Sequence, residues 1–281
     1  MKKDNGSEHP VIAFLTDFGL RDGYAGMMKG VILGLIPQVQ LVDVTHMIPP
    51  QDIAAGAWVL ATAYRYFPAG TVFVCVVDPG VGSTRRPVAL RAGDWIFVGP
   101  DNGLFTFVLL EQPVHEVVAL ENRAYHLAGV STTFHGRDIF SPVAAHIARG
   151  TGLAELGSLL DPATLVRLEI GFAVRRGHRI EGRILHVDHF GNLITNIPLR
   201  IVPELFEAPV VRMILPAQGV SISTRRRFFA AAGNDDMQPF IYSDSSGCVA
   251  IAVRNESAAR LLKAGYGTAV TLIVQAENQQ V

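Results

Sequence analysis

Three polar stretches in the first half of the chain each follow an apolar run or lead into a helix, and each holds a side chain able to hold or move a proton. Asp17 lies in TDFG just after VIAFLT, Asp78 ends TVFVCVVD and opens DPGVGSTRR, and His135 stands in STTFHGRD. In an open parallel sheet, ligands bind outside the carboxyl ends of the strands, so side chains at such places can converge on one small molecule. Two carboxylates and an imidazole suit proton transfer or the alignment of a reacting water. Pro79, Gly80 and Gly82 make the stretch after Asp78 a tight turn through which backbone can approach a ligand, and Arg85 can fold back across it.

In the second half, HVDHFGNLITNIP crowds Asp188, His189 and Asn192 into a turn between strand-like segments. Structural roles are open to all of these residues. Asp17 could cap a helix, Asp78 and Arg85 could form a loop-stabilising ion pair, His135 could serve a local hydrogen bond, and Asp188 could organise an Asx turn. TRRRFF at 224–229 is a basic and aromatic cluster of a kind that can bind phosphate, but with Asp235 and Asp236 nearby it is expected to be a solvated loop.

Several motif matches fail on mechanism. DPGVGSTRR has the glycines of a phosphate loop without its Gly-Lys-Ser/Thr. DFG and HGRD occur in the reverse of their protein-kinase order and lack a preceding Val-Ala-Ile-Lys. Asp17, Asp78, His135, Asp138, His186, Asp188 and His189 include donors that suit zinc or manganese, but no tight HExxH-like spacing is present.

Elements to position these side chains are readable in the pattern. VIAFLT (11–16), QLVDVTH (40–46) and TVFVCVVD (71–78) read as strands, the last without alternation, as in a sheet covered on both faces. Tyr24, Met27, Met28, Val31, Ile32 and Leu35 recur at helical spacing before Pro37, and 53–67 reads as a second helix. PVALRAGDWIFVG reads as a hairpin around Ala92 and Gly93, and FHGRDIFSPVAAHIARG as a loop running into a helix that ends at Gly150. Beyond about residue 175 the runs are strand-like, apart from a helical ESAARLLKA. The expected class is α/β: an N-terminal, mostly parallel sheet with flanking helices over residues 1–175, then a smaller C-terminal β-barrel domain over 176–281. GFAVRRGHRIEG is the expected join.

Composition narrows the function classes. Hydrophobic residues make up 49% and charged residues 17% of the 281, a globular balance. Lys and Arg number 24 against 25 Asp and Glu, a net charge of −1, which gives no overall positive field for nucleic acid. Cys75 and Cys248 sit in separate apolar runs, which fits a reducing cytoplasm, and no apolar run is long enough for a signal peptide or membrane span. No nucleic-acid or membrane partner is expected.

TDFGLRDGYAGMMKG, VDVTHMIPPQDI, VDPGVGSTRR, VGPDNGLF, STTFHGRDIFSPVAAHIA and HVDHFGNLITNIP, in this order, resemble the S-adenosyl-L-methionine hydroxide adenosyltransferases, hydrolase relatives of the fluorinase and chlorinase enzymes. The resemblance runs from about residue 11 to 275. It implies an α/β domain followed by a β-barrel, assembled as a homotrimer whose active sites lie between one subunit and its neighbour. It also implies hydrolysis of S-adenosyl-L-methionine to adenosine and L-methionine with no metal or separate cofactor. Asp78, Arg85 and His135 then stand near the attacking water. Asp17 grips the ribose hydroxyls, Asp188 meets the methionine ammonium and Asn192 faces adenine. The Ser245–Ser246 turn receives the methionine carboxylate, and backbone around Val253 and Arg254 meets adenine. The chain departs from the fluorinases in having Ser246 and Gly247 where an Arg follows the carboxylate-binding Ser. The halogenases resemble one another in placing Tyr at the position of Asp78 and Thr at that of Val81, whereas a carboxylate there repels halide. Competing readings are a metallohydrolase, a binding protein for the same ligand without turnover, and halide transfer.

Overall fold

The run VIAFLT forms β1 (Val11–Thr16), and its side chains alternate between two cores: Ile12 and Phe14 face one, Ala13 and Leu15 the other. A strand apolar on both faces belongs at the centre of a doubly covered sheet. The structure, a computed structural model, describes residues 9–229 and 237–275. Its chain contacts fall into two units, residues 1–168 and 169–281.

In the first unit β1 lies between β2 (Gln40–Thr45) and β3 (Val72–Val76), both parallel to it, and β3 continues to β5 (Trp95–Pro100), again parallel. β4 (Pro87–Ala92) runs antiparallel to β5, as the hairpin reading required, and to β6 (Val114–Ala119), giving the order β2-β1-β3-β5-β4-β6. Helices α1 (Tyr24–Leu35) and α4 (Ser141–Ala148) pack Met28, Ile32, Val143 and Ile147 into the core that holds Phe14 and Val74. On the opposite face, α2 (Ile53–Ala63) and the start of α3 (Thr106–Glu111) place Leu60 and Val108 against Leu15 and Phe73. The expected helix 53–67 is α-helical only to Ala63 and tightens into a 3₁₀ turn over Tyr64–Tyr66. Asp52 caps its start, its carboxylate accepting the Ala55 N–H at 2.9 Å.

β3 and β5 approach closely where β3 ends. A Cβ on Gly99 would stand 2.2 Å from the Cys75 carbonyl oxygen, so only glycine lets β5 lie there. Asn102 then donates its side-chain N–H to the Val77 carbonyl at 2.8 Å, fixing the chain one residue before Asp78.

The second unit is antiparallel. β7 (Val174–Arg176) forms a hairpin with the start of β8 (Arg179–Val187), and their paired residues lie in the segment GFAVRRGHRIEG. β9 (Leu193–Pro198), β10 (Val210–Leu215), β11 (Val220–Ile222), β12 (Phe240–Ser243) and β13 (Cys248–Ala252) follow, then the short α5 (Ala258–Leu262) and β14 (Ala269–Gln275). The sheet order is β11-β10-β14-β8-β9-β13-β12. Residues just past β11 pair with β12, since Arg226 donates its N–H to the Ile241 carbonyl and Ile241 donates to Thr224. That pairing brings the two edges together and nearly closes a barrel around Ile184, Leu193, Met213 and Val249.

TRRRFF is a solvated loop only in its second half: Arg227, Phe228 and Phe229 are exposed, whereas Arg225 is half-buried and Arg226 buried. Arg225 donates to the carbonyls of Leu205 and Ala208, and Arg226 is 7% exposed with its guanidinium over the Phe240 ring. Unpaired carbonyls of a loop distant in sequence supply the partners that solvent was expected to supply. Asp235 and Asp236 lie outside the described residues. Among the described residues no helix is long and apolar enough to cross a membrane.

Candidate active site

Asp78 ends the β3 segment, and the turn that follows returns the chain onto it. The Val81 N–H bonds to the Asp78 carbonyl, the Ser83 N–H to that of Gly80, and the Arg85 N–H to the Ser83 hydroxyl. Arg85 is thereby turned back so that Nε reaches both carboxylate oxygens of Asp78, at 3.0 and 3.1 Å, while Nη2 donates to Oδ2 as well. The same Nη2 lies 2.7 Å from His135 Nδ1. The side chains of Arg85 and Asp78 are 9% and 5% exposed, so the pair is largely removed from water, where charge-assisted hydrogen bonds are strong. The guanidinium also lies 5.5 Å from the centroid of Phe140.

His135 is carried by the other side of this arrangement. It precedes a π-helical turn, Gly136–Phe140, which leads into α4, and the Ser141 N–H and hydroxyl both bond to the Gly136 carbonyl. Asp138, buried within that turn, accepts the Ser131 N–H at 2.8 Å and pairs with Arg137. Burial pushes the Asp138 carboxyl upward, but Arg137 and Ser131 outweigh it and hold it below the ordinary carboxylate range. Gly82 joins the two loops: it has a φ of +78°, and a Cβ there would meet the Thr132 carbonyl oxygen at 2.3 Å.

A guanidinium can only donate, so the nitrogen facing it must accept. Nδ1 of His135 is therefore unprotonated and Nε2 carries the hydrogen. Desolvation and the positive charge of Arg85 lower the pKa of His135, against the smaller upward pull of Asp78 and Asp138. The group thus joins a neutral imidazole, with its hydrogen on Nε2, and a carboxylate through one shared guanidinium.

Asp17 follows β1 and accepts the Gln51 N–H at 2.8 Å through Oδ2. Phe18, Tyr24 and Phe134 form a triangle of rings with centroids 5.2 to 5.9 Å apart, which ties the loop after β1 to the segment before His135. Thr16, Asp43 and His46, which flank or support Asp17, give no local signal of a role: their link appears only when β1 and β2 pair.

In the second unit the Asx-turn reading of Asp188 describes its contacts. Oδ1 accepts the N–H groups of Phe190 and Asn192 at 2.9 and 2.8 Å, and Oδ2 accepts the Asn192 side-chain N–H at 2.7 Å. Asp188 and Asn192 are thus adjacent and mutually oriented. Ser246 is exposed, and its hydroxyl donates to Asp244 at 2.7 Å. Val253 is buried just beyond β13, and its backbone bridges to Glu256. Among the described residues no three carboxylate, imidazole or thiol groups are arranged to hold a metal ion.

The profile of the SAM hydroxide adenosyltransferase N-terminal domain matches residues 12–157, and that of the C-terminal domain matches residues 182–271. The (R)-S-adenosyl-L-methionine hydrolase of Salinispora tropica is 42% identical over 254 residues, covering 90% of this chain and 94% of that protein. The enzyme of the same name from Thermus thermophilus is 38% identical over 269 residues, covering 93% and 99% respectively. A conserved protein of Thermotoga maritima with a solved crystal structure superposes with a TM-score of 0.85 at 34% identity, covering 93% of this chain and 99% of that one.

The lowered pKa of His135 has a consequence for stability. An imidazole that resists protonation when folded binds fewer protons than in the unfolded chain, so its contribution is complete above about pH 6.5 and is lost as pH falls toward its folded value. Thermal midpoints measured from pH 7.5 downward should fall for the wild type, and His135→Gln should flatten the part of that slope just below pH 6.5. An unchanged slope in the variant would show that His135 is not held neutral.

Proposed function

We propose, on the premise that this chain belongs to the SAM hydroxide adenosyltransferase family, that it hydrolyses S-adenosyl-L-methionine to adenosine and L-methionine by in-line attack of water at C5′. The observation that carries this reading is the sharing of Arg85 between Asp78 and His135. We take the R sulfonium epimer, named for the hydrolase relatives, as the preferred substrate.

The reaction places few demands on acid catalysis. Sulfur already bears a positive charge and departs as a neutral thioether when the C5′–S bond breaks, its electron pair going to sulfur. The main requirement is a water held in line with that bond. His135 donates Nε2–H to the water oxygen, and Asp78 accepts one of the water's hydrogens. A lone pair is thereby aimed at C5′. As the O–C5′ bond forms, the oxygen becomes acidic and gives its proton to Asp78, which passes it to solvent. Arg85 keeps the carboxylate and imidazole at fixed separation, so little reorganisation accompanies the step.

Ligand roles follow the same reading. Asp17 offers its carboxylate to the two ribose hydroxyls, and Asp188 uses its remaining acceptor capacity for the methionine ammonium. Asn192, whose amide N–H is turned to Asp188, keeps its carbonyl oxygen for the adenine amino group. The Ser245–Ser246 turn meets the methionine carboxylate, with Ser246 rotating off Asp244 to donate, and the backbone near Val253 meets adenine. No cofactor beyond the substrate is assigned. The free, buried Cys75 and Cys248 support a cytoplasmic location. Halide transfer is disfavoured by the carboxylate of Asp78, which repels an anion at the attacking position.

Asp78→Ala should lower kcat by about 10²-fold or more while adenosine still binds, the scale for losing a positioned acid or base. Full turnover in that variant, with adenosine and methionine quantified as products, would remove the proposal. We also assign a homotrimer whose active sites are completed by neighbouring subunits. Mixing inactive Asp78→Ala and Asp188→Ala proteins under conditions of subunit exchange should then restore activity in about a quarter of the sites. Mixtures that remain inactive after demonstrated exchange would contradict the shared site.

A further inference from the structure

We propose that His46 is a positioning residue for Asp17, holding the loops after β1 and β2 as one unit so that the carboxylate can take both hydroxyls of a ribose. This rests on the ribose-binding role given to Asp17 above. His46 is 3% exposed and has both ring nitrogens engaged: Nε2 lies 2.9 Å from Asp43 Oδ1 and Nδ1 lies 2.8 Å from Thr16 Oγ1. Lys29 Nζ donates to the other oxygen of Asp43 at 2.7 Å, and the Phe18 N–H donates to Thr16 Oγ1 at 3.3 Å.

Burial raises the Asp43 carboxyl, but the bonds from Lys29 and His46 together hold it below its ordinary range, so it is an acceptor only. Nε2 of His46 must then carry the hydrogen, Nδ1 shares a hydrogen bond with the Thr16 hydroxyl, and the Thr16 oxygen also accepts from the Phe18 backbone. Each donor meets one acceptor from Lys29 on α1 to Phe18. The chain ends on both flanks of Asp17, at Thr16 before it and Phe18 after it.

Backbone bonds extend the same clasp. The Gly19 N–H donates to the His46 carbonyl at 2.7 Å, the Ile48 N–H to that of Thr16 at 3.3 Å, and the Gln51 N–H to Asp17 Oδ2. Gln51 adopts a φ of 67°, a left-handed conformation uncommon for a residue with a Cβ, and in this conformation its N–H reaches the carboxylate. Such strain persists where surrounding structure fixes it, and it gathers at ligand clamps. An apolar residue in place of His46 would fill the space without the cost of burying a polar ring, so the imidazole supplies direction rather than bulk.

The test is a ratio that a merely structural contact would leave alone: inhibition by adenosine against inhibition by 2′-deoxyadenosine. The wild type should favour adenosine by about tenfold or more, the scale of a hydrogen bond to a charged group. His46→Phe should cut that preference to about twofold and raise KM while kcat stays within about threefold, since the groups around the water are untouched. Asp43→Asn, at a partly exposed site, keeps the ring and loosens only its anchor, and it should reduce the preference by an intermediate factor. Folding of both is checked by circular dichroism. A folded His46→Phe that keeps the wild-type preference overturns the inference, and if that variant fails to fold, an unchanged preference in Asp43→Asn does so. Asp17→Asn separates the two levels: if it leaves the preference intact, the ribose assignment itself is wrong.

Discussion

Arg85 is bonded at once to a carboxylate and to an imidazole, and the architecture of the first unit serves that sharing. A buried ion pair is weak evidence for stability, because desolvation offsets much of the attraction. Removing one partner is another matter, and leaving Asp78 uncompensated would cost about 3–5 kcal/mol. The constraint explains the features around it. Gly99 lets β5 pack beside the end of β3, Asn102 fixes Val77, the 78–85 turn returns Arg85, and Gly82 admits the loop that carries His135. A guanidinium can only donate, so it meets acceptors at both neighbours and turns the hydrogen of His135 to Nε2.

The parts of the fold set by local pattern were readable in the chain. VIAFLT and TVFVCVVD are apolar without alternation because both faces of β1 and β3 are covered, and the hairpin of β4 and β5 follows from its turn. The spacing of Asp78 and Arg85 around a Pro-Gly turn foretold their meeting for the same reason. What depends on distant partners was not readable. TRRRFF resembles a solvated basic run until the carbonyls of Leu205 and Ala208 are brought to Arg225. The Thr16, Asp43 and His46 chain exists only through the parallel pairing of β1 with β2.

In the second unit, one carboxylate can carry two readings at once. Asp188 organises its own turn with three donors, and that rigidity is what a ligand-binding acceptor needs. Ser246 contrasts with it, since its hydroxyl is given to Asp244 and must be released before it can serve an anion. The groups proposed to meet substrate are thus held to unequal degrees. The Asp78, Arg85 and His135 set is bonded together, Asp188 and Asn192 are mutually oriented, and the serine turn needs a rotation.

The most direct measurement follows the fate of the oxygen atom. With water enriched in oxygen-18 and substrate deuterated stereospecifically at C5′, the account predicts one heavy oxygen in the 5′-hydroxyl of adenosine, none in methionine, and inversion at C5′. Adenosine without the label, or with retained configuration, would contradict direct displacement by a water held between Asp78 and His135.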